Sequence, residues 1–427
     1  MGLGSRYILP FIFFLIPLTY SIDNDPYRAW EVLFWGGFSM VLVLINFAHL
    51  RPVPEFFLII VYAAVLLLQQ YLIPDGQLWF GAQYALVFAA AVLPSLVISW
   101  ISWSMDDFNR CWDAAIKALS LVFLVSILGS FLLGWGESHI GGLAGGRYFG
   151  YLGDSISPVL VFPLIYFFLE RRYGWVILML GMMLLTGGKA AAVLLAAVPF
   201  FMLSLRLRPL VQFIVISAIT LTALLLDASF SDLMRAITND PFLSYSANTR
   251  TLSIEVGLEY FKDSPIWGIG INQSMLEISS DSDTMASRAG IIEYWPVEQI
   301  HNPFIRALAE TGVIGFSVLV GLCVLLIRRA FSALRVATGS VPSRCRSIVI
   351  AGGIWTVLFI VFYQSTGWFE HGHPQFAWLL TIAAITSVAA RQLATLPRYP
   401  RLASFARGGF AKSGAMLQQA NARSANR

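Results

Sequence analysis

Charge is what this 427-residue chain has least of. Asp, Glu, Lys and Arg make up 12% of it, about half the share of an ordinary soluble domain. Hydrophobic residues make up 57%, and the mean hydropathy is +0.72. That balance excludes a soluble globular domain and points to an all-α polytopic membrane protein. Cysteine is nearly absent, with Cys111, Cys323 and Cys345 the whole supply, so a disulfide framework is excluded. There is no basic stripe interleaved with aromatics that would face water, which excludes a nucleic-acid binder. No internal repeat marks a transporter built from two related halves. The first apolar run, "YILPFIFFLIPLTYSI" after Arg6, lacks a small-x-small cleavage site and is followed at once by another run. It reads as a retained first helix.

What is present is a series of apolar runs separated by Pro, Gly or charge. They predict twelve spans, near 7–22, 30–50, 55–74, 78–103, 113–136, 155–170, 174–186, 190–205, 209–227, 304–327, 347–368 and 375–390. With the N-terminus in the cytoplasm, 20 of the 28 cations fall on the inner side. The inner set includes Arg110, Lys117, Arg171, Arg172, Arg344 and Arg346, and the outer side keeps 19 of the 24 carboxylates. Short loops rich in Lys and Arg face the cytoplasm, so both termini are expected there. Cys111 and Cys345 then fall on inner loops and Cys323 inside a span. The chain divides into spans one to nine with short loops (1–227), one large outer loop (228–303), spans ten to twelve (304–390) and a basic tail (391–427). That tail has seven cations and no carboxylate and reads as a segment resting on anionic lipid.

The outer loop is long enough to carry function. Within it, "TRTLSIEVGLEYFKDSPIWGIG" sets Leu252, Ile254, Val256, Leu258 and Phe261 among polar residues. This predicts an amphipathic helix opened by Arg250, lying across the membrane and ended by Pro265, with Gly268 and Gly270 permitting a tight turn. Outer cations are the minority. Arg147 lies in the Gly-rich "GGLAGGRYFGYLGDS", Lys189 in the turn "TGGKAAA", and Arg250 and Arg288 in the large loop. "TGGKAAA" is not a phosphate-binding P-loop, because the first Gly of that pattern is missing and Ala follows the Lys. Singly, each cation reads as a snorkelling side chain or a partner for an outer carboxylate. Together they suit the phosphate oxygens of an anionic lipid head group, which Arg forks match in pairs.

The stretch "EQIHNPFIRALAETGVIGF" closes the loop and opens span ten. Asn302 predicts a helix cap with Pro303 in the first turn. His301 is either an interfacial residue or a working base. Arg306 and Glu310 stand one helical turn apart and predict an ion pair. Gly312 and Gly315 predict close helix packing. Two other clusters weigh less. "DND" at 23–25 reads as interfacial turn residues. "EHGHP" at 370–374, with His371 and His373, offers two ligands on one short loop, too few to hold zinc, and its role stays open between acceptor contact and packing.

These residues resemble a known family. "HNPFIRALAETGVIGF" resembles the His-Asn…Glu-x-Gly-x-x-Gly signature of the O-antigen ligase and polymerase superfamily. "RTLSIEVGLEYFKDSPIWGIGIN" resembles the Arg-led helix and Pro-x-x-Gly-x-Gly that precede it there. "TGGKAAAVLLA" is similar to the turn that carries a cation before a span, and "GRYFGYLGDSISPVL", with Asp154, to an upstream Gly-x-x-x-(Asp/Asn) loop. The matches run in order from about 147 to 316. Lys189 stands where many relatives have Arg, which keeps charge but weakens a bidentate phosphate contact.

The resemblance is nearest to the lipopolysaccharide ligases of that family. It implies a glycosyltransferase of the C-type membrane fold, with about twelve transmembrane helices and one large periplasmic loop bearing amphipathic helices. It would sit in a bacterial inner membrane with its site facing the periplasm. It would move glycan from undecaprenyl pyrophosphate to a sugar of lipid A–core, as a monomer in membrane lipid, without metal or cofactor. Catalysis would fall to His301 and pyrophosphate binding to Arg147, Lys189, Arg250 and Arg288. Asn302, Arg306, Glu310 and Asp154 would support them. The chemistry is coherent. A pyrophosphate leaves once its growing charge is neutralised, and a sugar hydroxyl needs a base near pH 7. A polymerase using the same donor shares these motifs, and a protein-glycosylating relative would have a longer periplasmic part. A twelve-span transporter would place charge mid-membrane, and these spans have almost none away from their ends.

Overall fold

The computed structural model describes residues 54–72, 103–133, 137–138, 147–148, 156–186, 189–204, 241–271, 273–274, 300, 302–338, 340, 343–362 and 374–395, with Val41, Ser95 and Ile98. In chain order these form α1 (Pro54–Leu72), α2 (Met105–Leu133), β1 (Glu137–Ser138), β2 (Arg147–Tyr148), α3 (Ile156–Val159), α4 (Val161–Leu169), α5 (Tyr173–Thr186), α6 (Lys189–Ser204), α7 (Pro241–Asp263), α8 (Pro303–Thr338), α9 (Arg344–Phe362) and α10 (Pro374–Ala394). The described part is helical apart from one antiparallel two-residue pair, in which Glu137 faces Tyr148 and Ser138 faces Arg147. Among the described residues, three helical stretches are long and apolar enough to cross a membrane: Met105–Leu132, Pro303–Thr338 and Arg344–Val361. The spans expected at 7–22 and 209–227, and nearly all of 30–50 and 78–103, lie outside the described residues, as does the tail beyond 395.

Where helices are described, their limits differ from the hydropathy runs for local reasons. α2 begins eight residues before the expected 113, because Ser104 Oγ accepts from Asp107 N at 3.2 Å and caps it. Cys111 therefore lies within a helix, not a loop, and Cys345 is likewise the second residue of α9. The run at 155–170 divides into α3 and α4 around Leu160, next to Pro163, which has no N–H for the helix ladder. α4 then ends in a Schellman turn, with Arg171 at φ 58°, Arg172 N donating to Phe167 O at 2.9 Å and Arg171 N to Phe168 O at 3.1 Å. α8 runs past the expected 327 to Thr338, because Ala330, Ala333, Leu334 and Ala337 continue its buried face beneath Arg328 and Arg329.

α9 is the axis of the bundle, packed against α4, α6, α8 and α10. Trp355 stacks on Phe359 with ring centroids 4.7 Å apart, and its Nε1 donates to Pro158 O at 2.8 Å. A Cβ at Gly352 would meet Thr386 of α10 at 2.1 Å, and one at Gly353 would meet Leu334 of α8 at 2.8 Å. The close helix–helix approach expected of Gly312 and Gly315 therefore occurs at these two glycines instead.

Polar contacts between helices gather at two ends. At one, Asp113 receives Arg172 Nη1 at 2.6 Å, Tyr166 Oη at 2.8 Å and Lys117 Nζ at 2.8 Å, with Arg344 at 3.9 Å. Arg346 Nε donates to Ala337 O there, and Gln392 Nε2 donates to Trp103 O. At the other lie Gln69, Trp267, Ser274, Arg306 and Glu310. The cations of the first set are inner and the charged pair of the second is outer in the charge assignment above.

At Gly268 (φ +75°) an added Cβ would meet the Glu310 carbonyl carbon and Thr311 N within 2.5 Å, whereas at Gly181 it meets nothing within 4 Å. Gly268→Ala is expected to lose about 1–3 kcal/mol from the backbone conformation alone. The close contact adds to that. Its melting temperature should fall well below that of Gly181→Ala when both variants are purified side by side.

Candidate functional site

Asn302 begins the site. Its Oδ1 accepts from Phe304 N at 3.0 Å and Ile305 N at 3.1 Å, and its carbonyl accepts from Arg306 N at 2.9 Å. This is the expected cap, with Pro303 supplying the first turn. Before it, Ile300 is buried with Leu252, Val256 and Ala309, and Tyr260 and Ile305 pack around them. α7 therefore lies against the start of α8. Its contact face is Leu252, Val256 and Tyr260, four residues apart, while Leu258 is 37% exposed. The expected apolar set was thus too wide. α7 also starts at Pro241, so Arg250 lies inside it and does not open it. A Cβ at Gly257 would meet Ile305 Cγ2 at 2.6 Å, so the glycine sets how closely α7 and α8 approach.

One turn into α8, Arg306 Nε and Glu310 Oε1 are 3.0 Å apart, with both side chains 3% exposed. Ser274 Oγ donates to the same carboxylate oxygen. A pair this enclosed has lost hydration on both partners, so each charge depends on the other. It is a fixed part of the architecture, unlike an exposed helix pair.

Two residues further on, the helix breaks. Gly312 has φ 61° and ψ −170°, a conformation essentially reserved for glycine. Such a break removes the bonds that Val313 N and Ile314 N would make to Ala309 O and Glu310 O in a continuous helix. The segment after α7 replaces both. Ile269 N donates to Ala309 O at 3.0 Å and Gly270 N to Glu310 O at 3.1 Å, while Val313 N donates to Pro265 O at 2.9 Å and Ile314 N to Ile266 O at 3.5 Å. A Cβ on Gly312 would meet Ile266 O at 2.2 Å. The Pro-x-x-Gly-x-Gly string and the Glu-x-Gly-x-x-Gly string are thus the two halves of one backbone junction. From α1, Gln69 Nε2 reaches the junction and donates to Trp267 O and to Glu310 O.

The remaining expected site residues are placed by backbone or not at all. Arg147 is in β2, which lies against α2 and α5; Lys189 is the first residue of α6, which packs on α9; Arg250 is in α7, which packs on α8. His301, Arg288, Asp154, His371, His373 and the "DND" at 23–25 lie outside the described residues. Gln69, Trp267 and Ser274 did not emerge from the sequence reading. The one signal for Gln69 is an amide inside the apolar run "AAVLLLQQYL".

Breaking the enclosed ion pair from one side should cost about 3–5 kcal/mol. Arg306→Met should therefore lower stability by that order. Adding Glu310→Gln to it should recover part of the loss, and a double-mutant cycle on thermal unfolding measures the coupling.

Residues 174–320 match the family model described as O-antigen ligase. That range runs from α5 into α8 and takes in Lys189, Arg250, the docked segment, position 301 and the break at Gly312. Arg147 and Asp154 precede it. No curated protein matches the chain.

Proposed function

We propose that this chain, of which residues 174–320 match the family model described as O-antigen ligase, is a lipopolysaccharide O-antigen ligase. It takes glycan from undecaprenyl pyrophosphate and attaches it to a sugar hydroxyl of lipid A–core. The reaction takes place at the periplasmic face of a bacterial inner membrane, in a twelve-span C-type fold. The observation that carries this reading is the junction. The two ordered strings that resemble the family's meet in space, and they brace the helix that begins at Pro303.

The chemistry follows from the residue types. In this reading Arg147, Lys189, Arg250 and Arg288 neutralise the charge that grows on the departing pyrophosphate, so no general acid is needed. His301 takes the proton from the acceptor hydroxyl as that oxygen attacks the anomeric carbon. The C–O bond to the pyrophosphate breaks in the same displacement, and the anomeric centre inverts. A retaining route would need a carboxylate nucleophile beside it, and the reading assigns none. The pair Arg306–Glu310 is support, since its groups are committed to each other and to Ser274. No metal takes part.

The test is His301→Ala in cells, read as lipopolysaccharide on a gel. The expected outcome is core without an O-antigen ladder, with polymer retained on the lipid carrier. Core carrying a single repeat would assign the chain to the polymerases that share the donor. An unchanged ladder would remove His301 from the mechanism.

A further inference from the structure

Gln69 has no solvent exposure and closes a short apolar helical stretch, Phe57–Gln69. A primary amide in such surroundings is costly unless its hydrogens are bonded. It has two N–H donors, and both are used on the junction. One goes to Trp267 O and the other to Glu310 O. These acceptors belong to opposite partners. Trp267 is in the docked segment, and Glu310 is on the near side of the break. Gln69 therefore closes the junction from a third place in the chain, 198 residues from one acceptor and 241 from the other. Among the described residues its Oε1 has no partner, so the hydrogen bonds found for this side chain act on the junction.

The alternative to the junction is a continuous helix. Glycine also adopts ordinary helical angles, and Ala309 O and Glu310 O could then return to Val313 N and Ile314 N. The segment 265–270 would be released, and Gln69 would lose Trp267. Both bonds of Gln69 are made together only in the docked form, so they bias the molecule towards it. That form decides where the start of α8 points. Residues 303–311 make a short helical arm, capped at one end by Asn302 and jointed at the other by Gly312. The joint angle sets how the arm stands against α7.

We propose that Gln69 is a positioning residue for glycan transfer: by clamping Trp267 and Glu310 it holds the joint, and with it the arm 303–311 of α8, at the angle the transfer requires. The proposal rests on the reading of the site as a ligase centre. Gln69 touches no reacting atom in it and acts through the joint.

The test uses the full chain in lipid nanodiscs, with lipid-linked glycan as donor and lipid A–core as acceptor. Gln69→Met keeps the length and apolar fit of the side chain and removes both donors. The expected result is a melting temperature near that of the unsubstituted protein. Amide exchange should be at least tenfold faster over 265–271 and 309–314. Turnover should fall tenfold or more, with KM for either lipid changed less than twofold. If Gln69→Met does not fold, Gln69→Glu, of the same shape, is read the same way. Unchanged exchange over these residues would overturn the clamp. Faster exchange with unchanged turnover would overturn the positioning role, as would a raised KM at constant turnover. An unsubstituted chain that transfers no glycan would overturn the ligase reading and the positioning role together, while the exchange comparison would still decide whether Gln69 is a clamp.

Discussion

The structure turns on an exchange of hydrogen bonds. α8 gives up two of its own bonds at Gly312, and the segment 265–270 supplies four in return, two donated to Ala309 O and Glu310 O and two accepted from Val313 N and Ile314 N. A broken helix would otherwise leave buried backbone groups unpaired, at a cost of several kcal/mol each in apolar surroundings. The break is tolerated because a second segment fits it, and the segment is ordered because the break offers partners. Neither conformation is explicable alone. The close approach also explains the two glycines at positive φ, Gly268 and Gly312, since a Cβ on either would meet backbone of the other side.

Much else follows from that joint. The enclosed pair Arg306–Glu310 sits within two turns before it, and Ser274 reaches it because Gly270 is already docked on the Glu310 carbonyl. Glu310 thus serves twice, through its carboxylate to the arm of α8 and through its carbonyl to the junction. The dry ion pair makes a poor reservoir of stability, since the desolvation of both charges opposes their attraction. Its consequence is geometric: both charges ride on the arm, which cannot rotate about its own axis without parting Glu310 from Ser274 or uncovering the pair.

The sequence made the helices legible and left the joint hidden. Asn302 and Pro303 announce a cap, and Arg306 with Glu310 announces a pair, because caps and i,i+4 partners are local and their spacing is fixed by one helical turn. The glycines at 268, 270, 312 and 315 were legible as permissive positions, yet packing between helices was the wrong use for Gly312, whose neighbour is the backbone of Ile266. A run such as "ALAETGVIGF" carries no mark of a break, since hydropathy continues straight through it. The amphipathic face of α7 was read too broadly for a related reason. Ile254, Leu258 and Phe261 are apolar like Leu252 and Val256, but only the partner surface on α8 decides which are covered. Gln69 was hardest to find, because its two acceptors are backbone carbonyls far along the chain, and a carbonyl has no sequence signature.

The two ends of the bundle then treat charge in opposite ways. Asp113 is held by Arg172 and Lys117, whose side chains are 22% and 37% exposed, and Arg344 nearby is 45% exposed. Those cations keep contact with water, and the cluster can tolerate movement, because a displaced partner remains solvated. At the other end Arg306 and Glu310 have no such recourse. Because both charges ride on the arm, a shift of the arm uncovers the pair or parts it from Ser274 without separating the charges from each other. The end at Asp113 uses wet charges, and the end at the start of α8 uses dry ones. This contrast, more than the presence of either cluster, is the physical argument for locating the demand for precision at the α7–α8 junction.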